Sequence, residues 1–146
     1  VEIVFRGVEY SDIDTLIRLM QEQQSLADEA EGRAALAELL RNDSLGKAWL
    51  IQADSQPIGY LVLTYSYSLE FHGRDALIDQ LYLGEGYQQP ELETQAIKFA
   101  QERSRALGVN ALHIKMGRKN IQTQALYRAV GFEDDDSYLM TKRITA

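Results

Sequence analysis

Residues 75–93 read Asp-Ala-Leu-Ile-Asp-Gln-Leu-Tyr-Leu-Gly-Glu-Gly-Tyr-Gln-Gln-Pro-Glu-Leu-Glu. The first half is an apolar strand, the middle a glycine-containing turn, and the end the first turn of a long helix. Pro90 suits the first helical position, where its missing N–H costs nothing. A strand running into a helix N-terminus leaves backbone N–H groups without intrahelical partners, and such junctions bind ligands in α/β proteins. If the strand is regular, Leu77, Asp79, Leu81 and Leu83 share one face.

Working outward, the helix that opens at Pro90 continues to Leu107. Leu92, Ala96, Phe99, Ala100, Arg103 and Leu107 follow its period, and Gly108 stands at its end. Ala111–Met116 is the next strand. A strand–helix–strand unit of this kind is parallel and right-handed. Before the junction, 47–53 and 57–67 are strand-like runs around the turn residues Asp54-Ser55-Gln56, and His72-Gly73-Arg74 is a second turn. These runs make an antiparallel meander. Glu2–Arg6 is a short strand. Ser11 reads as a helix cap, with Asp14 in capping-box position and Ile13, Leu16, Ile17 and Met20 on the buried face. A second helix covers roughly 31–41. Asn120 caps a short helix that runs through Ala129 and ends at Gly131, and Tyr138–Ile144 reads as a last strand. The expected order is β-α-α-β-β-β-α-β-α-β in a single domain over 1–146, an α/β (α+β) fold. Its mixed sheet is mostly antiparallel, with a parallel pair at the centre.

Bulk properties narrow the function. The chain is 45% hydrophobic and 25% charged, as soluble domains are. With no cysteine there is no thiol nucleophile, disulfide or zinc-thiolate site, which fits a cytoplasmic location. No apolar run approaches a membrane span, and Val-Glu-Ile-Val-Phe-Arg does not read as a signal peptide. The net charge of −7 argues against nucleic acid and favours a cationic partner through long-range steering. His72 and His113 stand apart and make no metal site, so no metal is expected. Glu133-Asp134-Asp135-Asp136 reads as a solvated loop or as an attractor for a polyamine. Tyr65 and Tyr67 either line an acceptor pocket or simply alternate along their strand.

The element order resembles the GNAT N-acetyltransferase superfamily over nearly the whole chain. Gln56-Pro57-Ile58-Gly59-Tyr60-Leu61 is similar to that family's hairpin and third strand, and Ile78-Asp79-Gln80-Leu81-Tyr82-Leu83 to its fourth. The most specific match is Asn120-Ile121-Gln122-Thr123-Gln124-Ala125-Leu126-Tyr127-Arg128-Ala129-Val130-Gly131-Phe132, which follows the family's Asn-x₄-Ala-x-x-Tyr-x-x-x-Gly-Phe segment. Tyr65-Ser66-Tyr67-Ser68 and Gly73-Arg74 resemble the diamine (spermidine/spermine) branch.

The resemblance implies acetyl-CoA as cosubstrate and a small primary amine as acceptor, polyamine-like or amino-acid-like. It also implies a possible homodimer. Acetyl-CoA would lie between the diverging fourth and fifth strands, against Leu81, Tyr82 and Leu83. Its pyrophosphate would sit on the Arg/Gln-x-x-Gly-x-Gly/Ala loop, which falls on Gln88-Gln89-Pro90-Glu91-Leu92-Glu93. Gln88 fits this pattern, but Glu91 and Glu93 stand at the glycine positions and Pro90 lacks an N–H. Two carboxylates held close to a polyanion would cost ~2–6 kcal/mol, a ~30-fold or greater affinity loss. The same residues also suit a helix that supplies its own anions.

For chemistry, the resemblance makes Tyr127 the acid that protonates the departing thiolate and Asp79 the base. Burial among leucines would raise the Asp79 pKa and suit it to that role. Asn120 would contact the CoA arm besides capping its helix. The alternative is a non-catalytic protein of the same fold that binds another ligand or a protein.

Overall fold

The structure is a computed structural model that describes residues 1–145. Its strands are β1 (Ile3–Gly7), β2 (Gly46–Ala53), β3 (Gln56–Ser68), β4 (Gly73–Leu83) and β5 (Ala111–Ile114). Its helices are α1 (Ile13–Gln23), α2 (Glu29–Arg41), α3 (Pro90–Ala106) and α4 (Ile121–Ala129). The sheet runs β1-β2-β3-β4-β5, antiparallel except for the parallel β4–β5 pair.

Each local choice has a visible cause. Asp54 and Ser55 both take positive φ (48° and 71°), the twist that a two-residue hairpin needs to join β2 to β3. Helix α2 is capped by Asp28, whose Oδ1 accepts the Glu31 N–H at 2.9 Å. The entry to α1 differs from the sequence reading: Tyr10–Asp12 forms a 3₁₀ turn, and Ser11 caps nothing there. Asp12 holds the corner instead. Its carboxylate accepts the Glu9 N–H at 2.8 Å and both prongs of the Arg6 guanidinium at 2.8 and 3.0 Å.

The sheet is covered on both faces, which is why β2 is apolar almost throughout. On one face, Leu16, Ile17, Leu19 and Met20 of α1 and Leu36 of α2 pack on Ala48, Leu50, Tyr60 and Val62. On the other, Leu92 and Ala96 of α3 pack on Ile51, Ala53, Ile58 and Leu83. There Phe99 stacks on Phe5 at 4.3 Å and meets Trp49 edge-on at 5.3 Å.

One polar knot ties three strands. Asp75, 8% exposed, accepts from Ser66 Oγ at 2.5 Å and is bonded to His113 Nε2 at 2.9 Å. It joins β3, β4 and β5 where the parallel pair begins. The Ser66 hydroxyl and then His113 hold the Asp75 carboxyl below its ordinary range. The Arg6 guanidinium does the same for Asp12. Both folded-state pKa values lie below the unfolded values, so the stability they supply is complete above about pH 4 and is lost as pH falls through the lowered values. We expect Asp12→Asn and Asp75→Asn each to cost about 1–3 kcal/mol at neutral pH. Urea unfolding should show that difference shrinking steadily below pH 4.

The chain divides into two units, Val1–Lys115 and Met116–Ala146. In the second, Asn120 caps α4 as expected, and Gly131 takes the positive φ (108°) that ends it. Strand β5 stops at Ile114, two residues short of the expected Met116. The expected last strand over 138–144 is absent: these residues pair with no strand among the described residues. Tyr138, Leu139, Met140 and Ile144 are exposed. Composition supplies strand propensity, but a strand exists only through its partner.

Candidate active site

The parallel pair is short. β4 and β5 are in register only from Asp75↔Ala111 to Ile78↔Ile114. Beyond Ile78, β4 continues to Leu83 with β3 on one side and no β5 residue on the other. The edge from 79 to 83 therefore presents main-chain N–H and C=O groups that an extended, amide-bearing ligand can pair with.

Asp79 sits just past the last β4–β5 pair, as the extra residue of a β-bulge. Val62 faces Gln80 and Leu63 faces Ile78, which leaves Asp79 without a partner on β3. The bulge breaks the alternation on which the sequence reading relied. Asp79 is exposed and does not share a buried face with the leucines. Leu81 and Leu83 pack on the α3 side of the sheet, whereas Tyr82 packs on the α1 side.

The turn after β4 is held tightly. Gly84 N donates to Ile58 O at 2.7 Å, Tyr87 N to Gly84 O at 3.0 Å, and the Gln88 side chain to Leu83 O at 2.8 Å. Gly86 takes φ 87°, a conformation that a side chain resists. Gln89 is the N-cap residue of α3, but its side chain does not cap: its Nε2 reaches back to Gly86 O. The first intrahelical bond is Glu93 N to Gln89 O at 3.0 Å. The N–H groups of Glu91 and Leu92 precede it, so they have no intrahelical acceptor and stand at the positive end of the helix dipole. Of the two glutamates, Glu91 is exposed. Glu93 is half-buried, and burial pushes its carboxyl above the ordinary range.

A polar cluster that sequence reasoning missed lies on the α1 side of the same β4 segment. Tyr60 is 0% exposed in the β3 floor, yet its hydroxyl lies 2.6 Å from Gln23 Oε1, 2.8 Å from Gln80 Oε1 and 3.4 Å from Ser25 Oγ. A phenol has one proton, so one glutamine accepts it and the other presents its amide to the phenol oxygen. Burial pushes the Tyr60 phenol up to about 12, so it stays neutral. Beside it, the Tyr82 hydroxyl donates to Glu22 Oε1 at 3.1 Å, and the two rings lie 5.9 Å apart. The contributing residues are 35 or more positions apart in pairs such as Ser25–Tyr60 and Glu22–Tyr82. No local pattern could have signalled them.

Asn120 and Tyr127 lie in the second unit. The Asn120 side chain accepts the Thr123 N–H at 3.4 Å. Tyr127 is 5% exposed, with its ring edge-on to Phe132 at 5.2 Å. Thus Asp79, Leu81, Tyr82, Leu83, Gln88, Gln89, Glu91 and Glu93 form one continuous strand–turn–helix element, and Asn120 and Tyr127 share a second. His113 is bound to Asp75 rather than to a metal. Among the described residues no group of His, Asp and Glu could hold a metal ion, and no helix is long and apolar enough to cross a membrane.

These features define an α/β architecture: a five-stranded sheet in which β4 runs on past the end of its parallel partner and leads into a helix N-terminus. The sequence profile of the acetyltransferase (GNAT) family matches residues 13–132, and the chain belongs to that family. No curated protein matches it significantly. Among solved structures it is similar to an integron cassette protein from the mobile metagenome of Cole Harbour Salt Marsh. That protein is 25% identical with TM-score 0.84, over 97% of this chain and 91% of the other. A predicted acetyltransferase of Clostridium acetobutylicum with acetyl-CoA is 15% identical with TM-score 0.81, over 97% and 96%. AAC(6')-Iy in complex with a bisubstrate analogue, CoA-S-monomethyl-acetylneamine, is 17% identical with TM-score 0.81, over 98% and 99%. The last two likenesses concern the fold.

Proposed function

We propose that this protein transfers an acetyl group from acetyl-CoA to a small primary amine by direct attack, with no covalent intermediate on the enzyme. The observation that carries this reading is the β4 edge left open after Ile78, where β5 ends at Ile114, on the strand that leads to the uncapped N–H groups of Glu91 and Leu92. The edge at 79–83 suits the amide-bearing arm of CoA, and the start of α3 suits its phosphates. The bulged, exposed Asp79 accepts the proton released by the attacking amine, through water. The amine nitrogen bonds to the thioester carbon, the carbon–sulfur bond breaks, and Tyr127 gives the sulfur its proton. A main-chain N–H of the open β4 edge serves as the donor to the thioester oxygen. Asn120 spends one lone pair on its helix cap and keeps another for the CoA arm.

The glutamates at the family's glycine positions support a second reading, a non-catalytic module of the same fold. The side-chain environments favour the first. Glu91 is exposed to solvent, and burial holds the half-buried Glu93 carboxyl above its ordinary range. Solvent around Glu91 screens the repulsion expected there from the sequence. We therefore expect Glu91→Gly with Glu93→Gly to tighten acetyl-CoA about tenfold, or ~1.4 kcal/mol, with most of the gain from Glu93. Calorimetric titration of the single and double variants measures this. No gain from either would assign the limit to Pro90, which no side-chain change at 91 or 93 restores.

A further inference from the structure

We propose that the Tyr60–Gln80 hydrogen bond decides which residue of β4 is left out of the β3–β4 ladder, and that Tyr60 is thereby the positioning residue for the Asp79 carboxylate. The choice of register is a property of the sheet itself; its catalytic meaning rests on the acetyltransferase reading.

The ladder on either side of the bulge leaves that choice open. Leu63 faces Ile78 before it, and Leu61 faces Leu81 after it. Val62 thus has two candidates on β4, Asp79 and Gln80, and the one that does not face it becomes the extra residue. If Asp79 faced Val62, the pairs Leu61↔Leu81, Tyr60↔Tyr82 and Gly59↔Leu83 would be unchanged. Leu81 and Leu83 would keep their places on the α3 side of the sheet, and Tyr82 its place on the α1 side. Hydrophobic pattern normally fixes register, because a one-residue slip turns every later side chain to the other face. Moving the bulge by one position exchanges only residues 79 and 80. Both are polar, so apolar burial does not separate the two arrangements.

Tyr60 does separate them. It faces Tyr82, so the residue opposite Val62 is its diagonal neighbour on the same face, within reach of a long side chain. Gln80 occupies that place, and its Oε1 lies 2.8 Å from the Tyr60 hydroxyl. The phenol is itself fixed: it is 0% exposed, and Gln23 Oε1 at the end of α1 lies 2.6 Å from its oxygen. Asp79 in the same place would be one methylene shorter and would bring a charge against a buried phenol. A phenylalanine at 60 would fill the same space but would hold neither residue, so the hydroxyl specifies an arrangement as well as a volume. The outcome is visible at Asp79. The extra residue is exposed just past the last β4–β5 pair, while Gln80 is partly buried. With the two exchanged, an amide would stand at the open edge and the carboxylate would be lost from it.

The test follows the cross-strand proton contacts of Val62 by nuclear magnetic resonance in variants of the full chain. In the unmodified protein these contacts run to Gln80. Asp79→Ala takes the carboxylate out of the comparison and should leave Gln80 opposite Val62. Adding Tyr60→Phe should raise the arrangement with residue 79 opposite Val62 about fivefold, the effect of losing one net hydrogen bond. The exchange of Asp79→Gln together with Gln80→Asp should move the bulge by one, with the new glutamine facing Val62 and the carboxylate again on the extra residue. Kinetics with acetyl-CoA and butylamine then read the catalytic consequence. Asp79→Gln alone should lower kcat about 100-fold. The exchange should recover at least about tenfold of that loss, with KM for acetyl-CoA within about threefold throughout. A Val62 partner that ignores Tyr60→Phe, or an exchange that leaves residue 80 opposite Val62, overturns the inference. A bulge that moves without recovering kcat overturns the positioning role. Contacts that change as described in a protein that neither binds acetyl-CoA nor transfers its acetyl group overturn the acetyltransferase reading and leave the register choice standing.

Discussion

Tyr127→Phe is expected to lower kcat for acetyl transfer by about 100-fold, the lower end of what a positioned general acid contributes. The substitution removes one oxygen atom. The ring stays on α4, buried to 5% exposure and edge-on to Phe132, so the packing of that turn is retained. The expected cost to stability is about 1 kcal/mol, which for a chain of this size moves Tm by about 2–4 °C. KM for acetyl-CoA should change by less than about threefold, because an interaction made only as the thiolate departs lowers kcat without weakening binding. Steady-state kinetics with a matched melting curve separate the two contributions. An unchanged kcat would mean that the thiolate leaves without an acid and that Tyr127 is a packing residue.

Gly59→Ala should act on the scaffold instead, with a loss of roughly 3 kcal/mol and a Tm fall of about 10 °C. Gly59 lies opposite Leu83 in the β3–β4 ladder. A Cβ at this position would stand 2.1 Å from the Tyr82 carbonyl oxygen and 3.2 Å from the Leu83 Cα. Both are main-chain atoms of the sheet, so no rotamer change relieves the clash. β4 must move away from β3 along its open edge, and acetyl-CoA affinity should fall together with stability. Gly117→Ala is the control, because nothing lies within 4 Å of a Cβ there. Thermal denaturation of the two variants side by side makes the comparison, and equal melting temperatures would contradict it.

The framework was legible because its signals are local. Pro90 at a first helical position, Asn120 as a cap and Gly108 and Gly131 beyond helix ends each act within one turn of chain. Asp54-Ser55 as a hairpin turn is equally local. The entry to α1 was misread by a few residues because Asp12 draws its strength from Arg6 on another element, which outweighs a nearby serine. Asp79 was misplaced because period-two reading assumes an unbroken ladder, and one inserted residue reverses every face beyond it. The segment 138–144 has the composition of a strand but no partner among the described residues. At the candidate site, the strand–turn–helix element could be read directly, but the orientation of its carboxylates could not. Whether Glu91 and Glu93 oppose a phosphate depends on their burial, which spacing does not encode. The Tyr60–Gln23–Gln80 and Tyr82–Glu22 contacts join α1 to β3 and β4, and tertiary packing alone creates them.

The central claim is that the open β4 edge and the start of α3 bind acetyl-CoA although glutamates occupy two glycine positions. Calorimetric titration of acetyl-CoA into the unmodified protein at low salt tests it most directly, with desulfo-CoA as the control for thiol chemistry. The account predicts saturable binding of both, with a micromolar dissociation constant for acetyl-CoA. No heat of binding up to millimolar ligand would contradict it, and would mean that Pro90, Glu91 and Glu93 have closed the site.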